Sequence, residues 1–278
     1  MVRPLKKPLY MILHKHVSEL LNPDPLIVLP TESVGAVRRL MRDTGVRVVL
    51  VSDRKGRLLG WVPRRVILNI SSRKTSARIK NLMEDPPILL EPQDRLKSAL
   101  DLMLRHDEWY APVIESGKIK GLLGLEHVIK AALENASNTL STVKIQDIMT
   151  HSPLHVKPDE FISGIWNLMR KWKYAGFPVV DDKYRLVGII TQFDLLRKGY
   201  TRIELESESG PHRGPRVRDA MTTSVVYLYP WSNALEAAKL MVNRGLGRIP
   251  IVESEDTKRL VGIVDREDVV RILLRGAG

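Results

Sequence analysis

Thr191 and Asp194 are the two residues of this chain whose types and spacing best suit ligand chemistry. They lie in the run Val187-Gly188-Ile189-Ile190-Thr191-Gln192-Phe193-Asp194-Leu195-Leu196, which reads as a short buried strand, a tight turn and the start of a helix. A Thr at a helix N-cap leaves backbone N–H groups pointing outward, where they suit an anion. An Asp three residues later is an acceptor-only group that can take hydrogen bonds from two neighbouring ribose hydroxyls. The same spacing also caps a helix with a purely structural job, and the two roles are compatible.

That frame must be positioned by elements, and the elements recur. The frame returns at Val261-Gly262-Ile263-Val264-Asp265-Arg266-Glu267-Asp268. Weaker copies stand at Leu59-Gly60-Trp61-Val62-Pro63-Arg64 and Lys120-Gly121-Leu122-Leu123-Gly124-Leu125. Four copies make a repeat protein. A Leu-Met pair ends the first helix of each: Leu40-Met41, Leu102-Met103, Leu168-Met169 and Leu240-Met241. From that Met to the Gly of the second strand the separations are 19, 18, 19 and 21 residues. The differences fall in the hairpin turns, where insertions are tolerated.

Each copy reads β–α–β–β–α, an α/β (α+β) fold class. After an N-terminal segment 1–14, the expected units are 15–70, 77–133, 143–200 and 216–275. Polar linkers are expected at Ser71–Ser76, Glu134–Thr142 and Glu204–Gly214, the last of them mobile. A unit of this size buries too little surface alone, so units should pair with their apolar sheet faces together.

The order of elements, the opening Asp-Ile-Met-Thr and the closing Gly-Ile-Ile-Thr-x-x-Asp resemble the CBS domain. The resemblance covers nearly the whole chain and is strongest in units 3 and 4, at Gln146–Thr150, Gly176–Asp181 and Gly188–Asp194, then Arg218–Thr222, Arg248–Val252 and Gly262–Asp268. Unit 1 departs from it, with Asn22-Pro23 in place of Met-Thr and no Pro in its buried strand. Four units in two tandem pairs resemble the gamma subunit of the AMP-activated kinase. The resemblance implies two Bateman modules whose clefts bind adenosine ligands such as AMP, ADP, ATP or S-adenosylmethionine, and a regulatory, energy-sensing protein rather than an enzyme.

Carried onto this chain, the resemblance implies that Asp194 holds the ribose and Thr191 contacts phosphate. It places adenine against Phe177, Pro178, Val179 and the opening segment at Ser152, Pro153 and Val156. In unit 4 the matching pair is Asp265 and Asp268. A carboxylate at position 265 repels phosphate, but Arg266 and Arg248 are positioned to meet one. Arg248 also reads as an ordinary surface arginine, and Arg64-Arg65 reads first as an exposed basic helix start. Units 1 and 2 carry Pro63 and Val66, then Gly124 and His127, at these positions. The first module is therefore expected to be degenerate for adenosine.

Composition limits the alternatives. Lys and Arg number 44 against 32 Asp and Glu, a net charge of +12. Residues 15–74 hold 12 basic and 5 acidic residues, which is more than half of that excess. The pattern suits nucleic acid, nucleotide phosphate or an acidic partner, and equally an ordinary solvated basic surface. A nucleic-acid-binding first module, and a scaffold with empty clefts that binds an effector protein, both stay open. So does a homodimer formed through the modules. The chain has no cysteine, hence no disulfide or thiolate chemistry. It has no long apolar run, and a cytoplasmic location without membrane contact is expected. No nucleophile with a base, no Walker loop and no dinucleotide Gly-rich loop is visible, and no His spacing suits a metal. Trp109, Tyr110, Trp166 and Trp172 read as core or interface aromatics, while Trp231 is either a helix staple or an interface residue.

Overall fold

The structure is a computed structural model that describes residues 11–70, 75–200 and 214–275. The first ten residues, linker residues 71–74, most of the Glu204–Gly214 linker with His212, and residues 276–278 lie outside the described residues.

Each unit is built on an antiparallel pair of strands flanked by helices. The pairs are Val48–Ser52 with Leu58–Pro63, Tyr110–Glu115 with Lys118–Gly124, Gly176–Val180 with Leu186–Thr191, and Arg248–Val252 with Leu260–Asp265. Every pair carries one register irregularity at its hairpin end. The expected leading strand is a full strand only in unit 1, as Ile27–Val28 parallel to Leu50–Val51. In the other units it shrinks to one parallel bridge, at Leu90, Val156 and Leu228. The linker expected at Glu134–Thr142 is helical instead. Ser137–Thr142 forms a helix that buries Leu140, because one apolar residue within the polar run faces the core.

Glycines at one register position explain how units couple. A Cβ on Gly188 would meet Met221 Sδ at 2.6 Å, and one on Gly262 would meet Met149 Sδ at 2.5 Å. Gly60 lies in the same way under Met83 and Glu84, and Gly121 under Leu21 and Asn22. The opening segment of each unit thus crosses the second strand of its tandem neighbour. Backbone bonds seal the exchange: Thr222 and Ile189 trade N–H···O bonds of 2.9 Å each, as do Asn22 and Leu122. Thr150 and His151 pair with Ile263 and Gly262.

Sheet faces meet within each module, as expected, but the contact is small. Val48, Leu50 and Trp61 pack on Leu122 in one module, and Val180 and Leu186 on Val252 and Leu260 in the other. The two large cores run between modules. One joins units 1 and 3 through Val37, Met41, Ile67, Ile165, Phe177 and Leu195. The second joins units 2 and 4, with Ile12 and Leu13 added from the N-terminal segment. The modules therefore pair within one chain, and the ends of their strands converge where the four units meet.

Candidate functional site

The helix Gln192–Lys198 starts at Thr191, whose hydroxyl accepts from the Asp194 N–H at 3.2 Å. Asp194 answers through one oxygen: Oδ2 accepts from Thr191 N at 2.8 Å and from Thr191 Oγ1 at 2.5 Å. The cap contributes on the order of 1 kcal/mol. The other oxygen, Oδ1, accepts from Thr222 Oγ1 at 2.9 Å. Thr222 belongs to the unit 4 opening, delivered here by the exchange. A carboxylate oxygen accepts about two hydrogen bonds, so Oδ1 keeps one free lone pair and gains a second if Thr222 turns away.

Asp194, Thr191 and Thr222 line a cavity of about 450 Å³. The rest of its lining is basic, with Arg47 and Arg64 from unit 1 and Arg244 and Arg248 from unit 4. Arg64 is only 6% exposed, which corrects its reading as part of an exposed helix start. Its Nη2 donates to the carbonyls of Gly45 and, at 2.8 Å, Val46, while its Nε has no partner. Its guanidinium stacks 5.0 Å from the Phe193 ring. Burial, with Arg47 nearby, lowers its pKa to about 10, so it keeps its charge at neutral pH.

Arg47 lies 4.9 Å over the Trp109 ring, and Arg248 lies 5.4 Å from the same ring. Burial lowers the Arg47 pKa, and repulsion from Arg266 and Arg248 adds to that. Among the described residues no carboxylate forms an ion pair with Arg47, whereas Arg248 sits 3.8 Å from Asp265. Cations stacked on rings and short of counter-charge can meet an incoming anion with little rearrangement.

The structure does not bring every expected residue to this cavity. Phe177, Val179 and Val156 are fully or almost fully buried in the core between units 1 and 3. Burying a ring such as that of Phe177 contributes about 1.5–3 kcal/mol, so it turns to the core. Pro178 is buried between them, paired with Ile189, and does not line the cavity. Ser152 follows the opening segment to the opposite unit, its N–H donating to Val261 O at 3.3 Å, and Pro153 goes with it. The exchange of openings is the reason: unit 3's cleft is completed by Thr222 rather than by unit 3's own opening.

Unit 4's own cleft is occupied by side chains. Trp109 Nε1 donates to Glu267 at 2.9 Å, and Asp268 accepts from Asp265 N at 2.9 Å as a helix cap. Burial and the Asp265 charge raise the Asp268 pKa to about 7, and burial also raises those of Asp265 and Glu267. Arg266 is 4% exposed and turns away from that cleft toward unit 2, where Nη1 meets Glu126 at 2.7 Å.

Arg47, Arg244 and Thr222 were not legible as site residues. The one available signal for Arg47 was its place directly before a buried strand. Trp166 is buried as expected, but Trp172 is exposed, and Trp231 is exposed and stacked on Tyr229 at 4.9 Å. Among the described residues no acidic or His cluster is placed to hold a metal, and no helix is long and apolar enough to cross a membrane.

Comparison with known proteins agrees with this architecture. The family model described as CBS domain matches residues 17–73, 79–134, 145–200 and 217–275. A Methanocaldococcus jannaschii protein, named as uncharacterized, is 26% identical over 272 residues, 95% of this chain and 63% of that protein. The inosine-5'-monophosphate dehydrogenase of the same organism is 30% identical over 151 residues, 54% of this chain and 28% of the enzyme. The chain thus spans under two thirds of the length of either relative. A solved structure of another Methanocaldococcus jannaschii protein, described as a candidate archaeal homologue of g-AMPK, matches with a TM-score of 0.80. It is 19% identical, with 92% of this chain and 99% of that chain covered, a likeness of fold.

Proposed function

The chain belongs to the CBS-domain family, and from that premise we propose that it is a non-enzymatic regulatory protein that binds an adenosine nucleotide in the cavity beside Asp194. One observation carries the reading. A single cavity of about 450 Å³ is lined by the acceptor Asp194 and by Arg47, Arg64, Arg244 and Arg248. A diol donor at one end and an anion at the other are the two ends of a nucleotide. The volume lies within the usual range for small-molecule sites. S-adenosylmethionine offers the same ribose but a cationic sulfonium centre, and the arginines oppose it. AMP, ADP and ATP are therefore the preferred ligands.

The nucleic-acid alternative loses ground on charge placement. Arg47 and Arg64, two of the cations in the basic first quarter, face this internal cavity, and Arg65 is paired with Glu84 at 2.6 Å.

Ligand binding would bridge units 1, 3 and 4 and favour one arrangement of the two modules by its differential affinity. The test is a thermal-shift panel with AMP, ADP, ATP and S-adenosylmethionine. At a ligand concentration of about 100 times Kd, stabilisation of about 2.7 kcal/mol is expected for the nucleotides. Asp194→Ala should abolish the rise, after allowance for its own lower starting Tm from the lost cap. A rise of unchanged size in that variant would move the site elsewhere.

A further inference from the structure

Unit 2 builds a second cavity, of about 370 Å³, on the plan of the first but with the chemistry of its grip inverted. His127 stands at the helix position that Asp194 holds in unit 3, and Gly124 stands in place of Thr191. The His127 Nδ1 accepts from Gly124 N–H at 3.1 Å. With Nδ1 an acceptor, the neutral ring carries its hydrogen on Nε2, and among the described residues Nε2 has no hydrogen-bond partner. The cavity therefore offers a donor where the first offers a carboxylate.

The charge around His127 points the same way. Arg47 and Lys130 line the cavity, and among the described residues neither is ion-paired. The one carboxylate on its wall, Glu126, has its charge countered: it pairs with buried Arg266 at 2.7 Å and hydrogen-bonds Tyr110. The wall also includes the N-terminal end of the 11-residue helix Leu125–Asn135, which favours negative charge.

We propose that the unit 2 cavity binds a small anion with phosphate-type oxygens, free or carried on a small ester, held by the His127 Nε2–H, Lys130 and Arg47. It is a site distinct from the nucleotide cavity and does not rest on that reading. Burial lowers the His127 pKa below the ordinary imidazole value, so at neutral pH the ring acts as a neutral donor rather than a cation.

The test is isothermal titration of the full chain with inorganic pyrophosphate and, separately, ribose 5-phosphate, with AMP as a third titrant. His127→Asn keeps an acceptor near Gly124 N–H and replaces the ring donor by a shorter amide N–H that ends short of the Nε2 position. It should weaken the tighter of the two anions about tenfold and leave AMP within twofold. Arg244→Ala, which touches only the first cavity, should do the reverse. His127→Asp should abolish anion binding outright. Tighter binding of pyrophosphate assigns the site to a free anion, and tighter binding of ribose 5-phosphate to an ester. Anion binding that is absent, or unchanged in both His127 variants, would overturn the proposal, and the AMP titration would stand or fall separately.

Discussion

The clefts of units 3 and 2 are built from one backbone plan and differ in what they can say to a ligand. In unit 3, Gly176 pairs with Thr191, and in unit 2, Tyr110 pairs with Gly124. One partner in each of these two pairs is glycine, whereas units 1 and 4 pair Val48 with Pro63 and Arg248 with Asp265 there. A Cβ on Gly176 would fall 2.9 Å from Thr191 Cγ2, and a Cβ on Gly124 would fall 2.9 Å from Tyr110 Cε1. Opposite Tyr110, unit 2 carries Gly124 rather than a Thr cap, and no Asp partner follows it. His127 then caps through a ring nitrogen and leaves a donor. Two residues at a strand end and one at the third position of a helix thus distinguish the two clefts, with the scaffold unchanged.

Arg47 lines both cavities, and its substitution is the strongest way to break the comparison. Arg47→Met keeps an unbranched apolar stem and removes the guanidinium that lies over Trp109, and with it the charge. Loss of a charge-assisted contact of about 1.4 kcal/mol or more is a factor of ten in affinity. Titration should show AMP and pyrophosphate each weakened at least tenfold. A loss confined to one ligand would show that the arginine serves one cavity only.

The smaller lever is Thr222. Its hydroxyl holds Asp194 Oδ1 at 2.9 Å, the atom that a ribose would claim. Holding both ribose hydroxyls on Oδ1 requires that hydroxyl to turn away, at a cost of about 1 kcal/mol for a hydrogen bond of this kind. Thr222→Val removes the competitor while keeping the shape, so AMP should bind about fivefold tighter, and pyrophosphate binding in the unit 2 cavity should not change. Weaker AMP binding in Thr222→Val would show that the hydroxyl contacts the ligand instead of competing with it.

The repeat, the four units and the Thr191–Asp194 pair were readable because they depend on local spacing: strand alternation, helix capping and a glycine held in register. What could not be read is the traffic between units. Ser152 and Pro153 belong to the same unit as Asp194, yet their segment crosses to unit 4, while Thr222 arrives from the next unit, 28 residues on. Phe177 was assigned to the cleft from its place in the motif. Strand alternation sends it, with Val179, into the core shared with unit 1, a partner that no periodicity announces. Arg64, with Arg65, reads as a basic helix start, and its burial comes from unit 1 carbonyls at Gly45 and Val46 and from Phe193 of the second module, none of which local spacing announces.

Asp268 extends the comparison to the acid that corresponds to Asp194 in unit 4. Asp194 serves a cavity, whereas Asp268 is closed in with Asp265 and Glu267, and burial raises its pKa from 3.8 to about 7. A carboxyl whose folded pKa is raised binds its proton more tightly in the folded state than in the unfolded chain. Between about pH 4 and pH 7 the folded state thus holds the extra proton, and stability falls as pH rises through that window. Asp268→Asn keeps an acceptor for the Asp265 N–H and carries no charge. At pH 8 it should raise Tm by roughly 2–4 °C, about 1 kcal/mol, and the gain should shrink toward pH 4 as the wild-type carboxyl becomes protonated. AMP affinity should stay within twofold of wild type, since Asp268 lines none of the cavities described here. A Tm difference that is flat with pH would mean that the asparagine acts through packing, and a marked loss of AMP binding would place the nucleotide in unit 4 rather than unit 3.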